Sequence, residues 1–309
     1  MINKIISNVN TSITVIIPVY NGAYCLKEAI ESVIKQTYPH WKMLLIDDCS
    51  TDESKSVIEE YVNLDTRISN TYNITNLGLY GSLRKAVDCV ESEWVSILMQ
   101  DDHLKPEYLQ EMIGLVSKYY PQASAFWATE DEIDENGNFL RKGLDTARYE
   151  IINHGIAPWI SILNRGCIWI ISGSFTLRSL LLESPFRTDL PHCGDYEWLL
   201  RVIRKYNFVY YERPLSEIRT HAKQASAINL KIGRDIQERY TIIKQNLLDY
   251  SEDIAFGAVL LICFRSATLI TRRAIGQLSR GEFTFLMLFI RHIILWLYLP
   301  FIYKRGKEL

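Results

Sequence analysis

The chain has six cysteines and no Cys-x-x-Cys pair among them. Cys25, Cys49, Cys89, Cys167, Cys193 and Cys263 are scattered over 309 residues, which argues against a zinc ligand set or a disulfide framework and for small buried side chains in a reducing compartment. Residues 1–12 are polar and hold no apolar signal segment, so the cytoplasmic side is the expected location. No internal repeat or low-complexity run is present. Net charge is nearly absent too, at −2, and a composition of 48% hydrophobic and 23% charged residues is that of a globular chain. Its length suits one large core, or one core with a smaller appendage.

The small net charge hides an uneven distribution. Residues 265–309 carry eight basic side chains against Glu282 and Glu308, a balance of +6 that leaves −8 on residues 1–264. A basic, apolar tail on an acidic body fits an anionic membrane surface, reached through residues 254–309, better than nucleic acid. The tail is apolar in two blocks, 254–261 and 283–303. Between them Arg265, Arg272, Arg273 and Arg280 recur seven or eight residues apart, nearly two helical turns, which predicts a basic helix face. The second block is long enough to span a bilayer, yet Arg291 and His292 occupy its middle. A central arginine costs roughly 2.5–3.5 kcal/mol on insertion scales, so interfacial or re-entrant helices are expected ahead of a true span. A buried helical cap on the main domain is the alternative.

The first 130 residues alternate strand and helix patterns. Apolar runs at 14–19, 43–46 and 94–99 read as buried strands. Leu26, Ala29, Ile30, Val33 and Ile34 recur at helical spacing, as do Val57, Ile58, Tyr61 and Val62, and Leu79, Leu83, Ala86 and Val87. A helix over 106–119 opens with Pro106. The expectation is an α/β fold with a mostly parallel sheet flanked by helices. Further on, Asn136-Gly137 suggests a hairpin, Trp198, Leu199, Val202 and Ile203 share a helix face, and 208–211 reads as a closing strand.

Ligands of such sheets bind at the carboxyl ends of the strands. Two acidic pairs collect there, Asp47-Asp48 after the second strand and Asp101-Asp102 after the strand ending at Met99. A buried unpaired carboxylate is costly, so two pairs on one rim need solvent or cations. A divalent cation bridging an aspartate and a diphosphate removes their repulsion and stabilises the leaving group. Alone, the Asp101-Asp102 doublet fits a solvated turn or helix cap equally well.

In combination the motifs are specific. Val15-Ile16-Ile17-Pro18-Val19-Tyr20-Asn21-Gly22, Ser32-Val33-Ile34-Lys35-Gln36-Thr37-Tyr38 and Ile46-Asp47-Asp48-Cys49-Ser50-Thr51-Asp52 come in sequence, followed by Asn76-Leu77-Gly78-Leu79 with Ser82-Leu83 and by Gln100-Asp101-Asp102-His103. Over roughly residues 13–225 the chain resembles the inverting glycosyltransferases of family 2, with the GT-A fold, of the bacterial surface-polysaccharide type. The resemblance implies that Pro18 and Tyr20 line the base and ribose pocket and that Asp48 accepts a hydrogen bond from the nucleoside. It makes Asp102 the ligand of a divalent metal (Mn2+ or Mg2+) and sets Asp101 near the ribose or sugar. Another reading makes Asp48 a cap for the helix near Glu53. Arg84 departs from the family, where asparagine is frequent, and either reaches the donor or pairs with a surface carboxylate.

Direct attack by an acceptor hydroxyl on the anomeric carbon inverts configuration and requires a base. Gly194-Asp195-Tyr196-Glu197-Trp198 resembles the family's acidic helix start, which makes Asp195 the catalytic base, with Glu197 as fallback. As a bland alternative, Asp195 only complements the helix dipole. Arg219-Thr220-His221-Ala222-Lys223-Gln224-Ala225-Ser226 resembles the family's Arg-x-His segment and sets His221 at the metal or diphosphate. Trp169 and Ser172-Gly173-Ser174 are expected to shape the acceptor site, although packing explains a tryptophan as readily.

The expected organisation is a GT-A domain over 1–228, comprising a nucleotide-binding half (1–130) and an acceptor and base half (131–228), then a helical, membrane-associating tail over 229–309. The expected partners are a nucleotide-sugar, a UDP-sugar first, and a lipid-linked or saccharide acceptor, at the inner face of the cell membrane. Transfer to polyprenyl phosphate is the alternative with the same fold. A nucleotidyltransferase also uses paired aspartates, but Asn21-Gly22 has no clustered Lys or Arg beside it. A non-catalytic membrane-associated binding protein fits poorly with Asp48, Asp102, Asp195 and His221 together.

Overall fold

The computed structural model describes residues 12–222, 224–278 and 286–308. Arg280, the start of the second apolar block and residues 1–11 lie outside the described residues. In chain order the elements are β1 (Ile13–Val19), α1 (Ala23–Ile34), β2 (Trp41–Asp47), α2 (Ser54–Leu64), β3 (Ile68–Tyr72), α3 (Gly78–Cys89), β4 (Trp94–Ile97), β5 (His103–Leu104) and α4 (Tyr108–Tyr119). Then come β6 (Ala125–Ile133), β7 (Phe139–Arg141), β8 (Tyr149–Ile152), α5 (Ile156–Arg165), β9 (Ser174–Leu177), α6 (Arg178–Glu183), α7 (Gly194–Val202) and β10 (Phe208–Arg219). Four helices follow, α8 (Ala225–Lys231), α9 (Arg234–Asp249), α10 (Phe256–Leu278) and α11 (Leu286–Glu308).

The strands form one sheet in the order β3-β2-β1-β4-β9-β6-β10-β5, with β7 beside β6 and β8 beside β10. All seven residues of β1 are buried because β2 and β4 flank it on both edges, which is why it reads as a continuous apolar run. β1 to β4 are parallel, as expected. The remainder is mixed: β9 runs antiparallel to β4 and β6, whereas β10 is parallel to β6 and antiparallel to β5 and β8. The sheet is thus a parallel donor half joined to a mixed half. Asn136-Gly137 does form the turn between β6 and β7, with Gly137 at φ 84°.

Helical spacing buries Leu26, Ala29, Ile30 and Val33 of α1 and Leu109, Met112 and Val116 of α4 against this sheet. Trp94 stacks on Phe175 with centroids 5.4 Å apart at the centre of the core. Two expected boundaries move. α4 begins at Tyr108, after Pro106, and β4 ends at Ile97, so Met99 to Asp102 form a loop over the strand end.

The chain divides into two compact units. Residues Met1–His154 and Trp169–His221 form the first, Gly155–Ile168 and Ala222–Leu309 the second. The expected boundary near 228 therefore falls inside the second unit, and α5 belongs with the C-terminal helices, not with the sheet that precedes and follows it. Trp159 of α5 donates to Asn246 of α9 at 3.2 Å, and Tyr303 of α11 donates to the carbonyl oxygens of Ser251 and Ile254, both at 2.6 Å. The expected arginine face is partly corrected. Arg265 and Arg272 are exposed on α10, but Arg273, one position and about 100° further round, turns inward to pair with Asp235 at 2.5 Å. Likewise His292 is buried while Arg291 faces outward.

Candidate active site

The loops at the carboxyl ends of β1, β2 and β4 gather the donor-side residues. Pro18 is buried within β1, and Tyr20 just beyond it is 48% exposed. The Gln100 amide holds the Tyr20 backbone from both sides: Oε1 accepts its N–H at 2.9 Å, and Nε2 donates to its carbonyl oxygen at 3.1 Å. Gly22 makes room for that amide, since a Cβ there would lie 2.2 Å from Gln100 Oε1. Asn21 and Cys49 adopt φ of 48° and 65°, unusual for residues with a Cβ, at the ends of β1 and β2. Such local strain concentrates at functional loops.

Asp48 is 4% exposed and its carboxylate is well served. Oδ1 accepts from Asn73 Nδ2 at 2.8 Å and from the Leu77 N–H at 2.7 Å, and Oδ2 accepts from the Gly78 N–H at 2.8 Å. It therefore sits on the N-terminus of α3, where unpaired amides and the helix dipole favour negative charge. The Asn-Leu-Gly segment is its cradle. The cap near Glu53 is a different residue, Asp52, which accepts from the N–H groups of Ala23 and Ser54, each at 3.0 Å. Arg84 is exposed on α3 and pairs with no carboxylate among the described residues.

His221 meets Asp101, while Asp102 is engaged separately by Arg219 and Ser172. Asp101 Oδ2 lies 3.1 Å from His221 Nε2, which is 3.2 Å from the Tyr24 hydroxyl. Asp102 is 3% exposed, and its Oδ1 accepts the backbone N–H of Arg219 at 2.8 Å. Burial, and after it the adjacent Asp101 charge, pushes the Asp102 carboxyl up to about 8, against the pull of Ser172 and Arg219. Carboxylates are hard oxygen donors of the kind Mg2+ or Mn2+ takes, and the His221 imidazole adds a softer nitrogen donor. Among the described residues no three His, Cys, Asp or Glu side chains form a closed cage. An open, partial donor set fits a cation completed by substrate phosphates, the usual manner of Mg2+ at nucleotide sites.

Arg219 braces this corner, a role its place in the motif did not disclose. Its Nε donates to the Asp101 carbonyl at 3.1 Å, Nη1 to the Glu135 carbonyl at 2.8 Å, and Nη2 to Glu28 at 2.5 Å. Ser172 joins in by accepting the Met99 N–H at 3.1 Å, so it supports the aspartate loop.

Asp195 occupies the first turn of α7, half-buried. Its Oδ1 accepts the Tyr196 N–H at 2.7 Å, and its own N–H donates to the Tyr80 hydroxyl at 3.0 Å. The fallback carboxylate, Glu197, is buried and forms an ion pair with Arg201 at 3.1 Å, one helical turn away. Trp169 takes the packing role: it is 2% exposed, and its ring lies 4.7 Å from that of Trp198.

Comparison with known proteins agrees with this geometry. The profile of glycosyl transferase family 2 matches residues 14–176, just over half of the chain. The Bacillus subtilis glycosyltransferase TuaG, named for teichuronic acid biosynthesis, is 33% identical over 101 residues, covering 33% of this chain and 40% of its own. An uncharacterized glycosyltransferase of Rickettsia conorii is 26% identical over 269 residues, covering 85% of this chain and 43% of its own. The chain thus spans less than half the length of these two relatives. Among solved structures, Staphylococcus aureus TarS 1–349 in complex with UDP-GlcNAc superposes with a TM-score of 0.59 at 14% identity, covering 96% of this chain and 92% of that one. At that identity the likeness is one of fold.

Proposed function

We propose that this chain, which belongs to glycosyl transferase family 2, transfers a sugar from a nucleotide-sugar to a saccharide or lipid-linked acceptor, with inversion, in cell-surface polysaccharide synthesis. The observation that carries the reading is the strand-end rim itself. There a helix-capping aspartate, Asp48, a nearly desolvated Asp102, and a half-buried Asp101 in contact with His221 stand at the ends of parallel strands. UDP is the favoured nucleotide, because TarS has been crystallised with UDP and with UDP-GlcNAc, and TuaG is named for a cell-wall polymer.

In this reading Tyr20 and Pro18 line the nucleoside pocket, and Asp48 keeps the rim anionic and rigid beside it. Asp102 and His221 hold a divalent cation, and Asp101 orients the donor. The cation's contribution is to neutralise the diphosphate and stabilise it as leaving group. Asp195 takes the proton of the acceptor hydroxyl as that oxygen attacks the anomeric carbon from the face opposite the nucleotide. Arg84, exposed and without a carboxylate partner among the described residues, is available to the donor phosphates.

The second unit supports contact with an anionic bilayer on the inner face of the membrane. Leu260, Leu261 and Phe264 of α10 and Leu297 of α11 are exposed and line an apolar cavity of about 480 Å3, Tyr298 and Phe301 are also exposed on α11, and Arg265, Arg272 and Arg291 face outward on the same two helices. By length and composition α11 also suffices to cross a membrane over Met287–Lys304.

A thermal-shift screen of nucleotide-sugars with and without Mn2+ or Mg2+ tests the central reading. A donor at a hundred times its dissociation constant stabilises by roughly 2.7 kcal/mol. A metal-dependent rise in melting temperature with one class of donor is the expected result; no response to any uridine or guanosine sugar overturns the assignment.

A further inference from the structure

Tyr80 is a buried residue that the donor chemistry does not use, and it touches the candidate base. It lies in the first turn of α3, is 4% exposed, and packs on Phe186 with ring centroids 5.4 Å apart. Its hydroxyl accepts the backbone N–H of Asp195 at 3.0 Å, across 115 residues of chain. First-turn amides have no partner within their own helix, so a side chain from another helix fills the gap at the residue whose carboxylate matters most. Gly194 shows how closely the two pieces are fitted. A Cβ there would fall 2.5 Å from Tyr80 Cε2 and 2.7 Å from Cζ, contacts that no real side chain makes. Glycine is thus required at that position by the tyrosine ring, not by backbone strain.

The same helix is held at its first amides by Asp48, which accepts from Leu77 and Gly78. One turn of α3 therefore meets both the donor-side carboxylate and the start of the base-bearing helix. We propose that Tyr80 is a positioning residue for Asp195: its hydroxyl sets where α7 begins, and so fixes the base relative to the donor side that Asp48 anchors. The proposal rests on the reading of Asp195 as base. Reactive groups must be held to a fraction of an ångström, and a 1 Å misplacement costs about a hundredfold in rate.

The experiment compares wild type, Tyr80→Phe, Asp195→Asn and the double variant. Turnover is measured as UDP release from UDP-GlcNAc in the presence of Mn2+ with water as the acceptor whose proton the base takes, with UDP-glucose and UDP-galactose run beside it, and amide hydrogen exchange at residue 195 is measured without substrate. Tyr80→Phe keeps the ring and removes only the hydroxyl. The expected result is a fall in kcat of about 10- to 100-fold, donor KM within a factor of about two, a melting temperature lowered by no more than a few degrees, and faster exchange of the Asp195 amide. In the Asp195→Asn background the same substitution is expected to add nothing to kcat, because it acts through the missing carboxylate. An Asp195 amide that exchanges as in wild type overturns the proposal, as does an equal loss in both backgrounds. Full activity of Asp195→Asn is a separate outcome, which removes the base reading and the proposal with it. Rates are taken per folded molecule, so a modest loss of stability leaves each outcome decisive.

Discussion

Asp48 and Asp102 stand on one rim of the sheet, 4% and 3% exposed, and their surroundings differ in kind. Asp48 receives three hydrogen bonds from Asn73, Leu77 and Gly78 and sits on a helix N-terminus. Its charge is satisfied by its own chain. Asp102 receives a backbone N–H from Arg219 and help from Ser172, with a second carboxylate beside it, and its carboxyl is pushed up to about 8. Its charge is tolerated poorly. The first aspartate anchors the start of α3, whereas the second carries a charge that burial disfavours, the property that the proposed metal-ligand role would exploit. Burial alone does not separate the two. The donors around each carboxylate do.

Replacing Asp102 is the strongest way to break the contrast. Asp102→Asn is expected to lower transfer by about a thousandfold or more, since stabilisation of the leaving group by a bound cation is worth several kcal/mol. The metal-free protein should be unharmed or stabilised. The carboxyl's folded value lies above the unfolded value of about 3.9, so the fold prefers the protonated form. The stabilisation is complete below about pH 4 and is lost as pH rises through about 8. Melting curves of metal-free wild type from pH 5 to pH 8.5 should therefore decline, and Asp102→Asn should flatten that decline. Parallel profiles for the two proteins would refute the assignment of the strain to Asp102.

Asp48 should behave in the opposite way. Asp48→Ala removes the acceptor of the Leu77 N–H and of one Asn73 Nδ2 proton, while Gly78 N–H keeps Asn76 Oδ1 at 3.1 Å and Asn73 keeps Ser82 Oγ at 2.8 Å, and a buried unsatisfied donor costs about 1–3 kcal/mol. The expected outcome is a melting temperature lower by several degrees at every pH above the carboxylate range, with or without metal. An Asp48→Ala protein as stable as wild type would mean that the cradle is rim decoration, and the two aspartates would then differ only in degree.

This contrast also marks what was legible in the sequence. The strands and helices of the donor half are written in local periodicity, and β1, α1, β2, α2 and α3 lie where the apolar spacing set them, with β4 two residues shorter than its apolar run. The mixed half is not, because antiparallel pairing of β9 with β4 and β6 joins residues with no local signature of their partners. The assignment of α5 to the C-terminal unit is hidden for the same reason. Motif order singled out Asp101, Asp102 and His221, of which Asp101 and His221 meet at 3.1 Å while Asp102 is engaged by the Arg219 backbone. It did not disclose the braces. Gln100 clamps Tyr20 across 80 residues, Arg219 supports Asp102 across 117, and Tyr80 reaches Asp195 across 115, each through a backbone group that no motif encodes. The positions forbidding a Cβ, Gly22 and Gly194, are the one sequence trace of two of these braces.

Arg84 yields the smallest effect and sharpens the comparison from the donor's side. It projects from α3, the helix that Asp48 caps, and among the described residues it pairs with no carboxylate. An exposed side chain without such a partner contributes little to stability, so Arg84→Ala should melt within about 0.5 kcal/mol of wild type. If it meets the donor phosphates, the loss of one solvent-exposed charge contact should raise donor KM by about three- to tenfold and leave kcat nearly unchanged, the pattern of lost uniform binding. Arg84→Lys keeps the charge and should recover most of that loss at low ionic strength and less of it at high salt, where screening shortens the reach of a point charge. An unchanged KM for the alanine variant at low salt would take Arg84 out of the donor site. Asp48 would then be the only link between α3 and the nucleotide, and the helix would serve the base through Tyr80 alone.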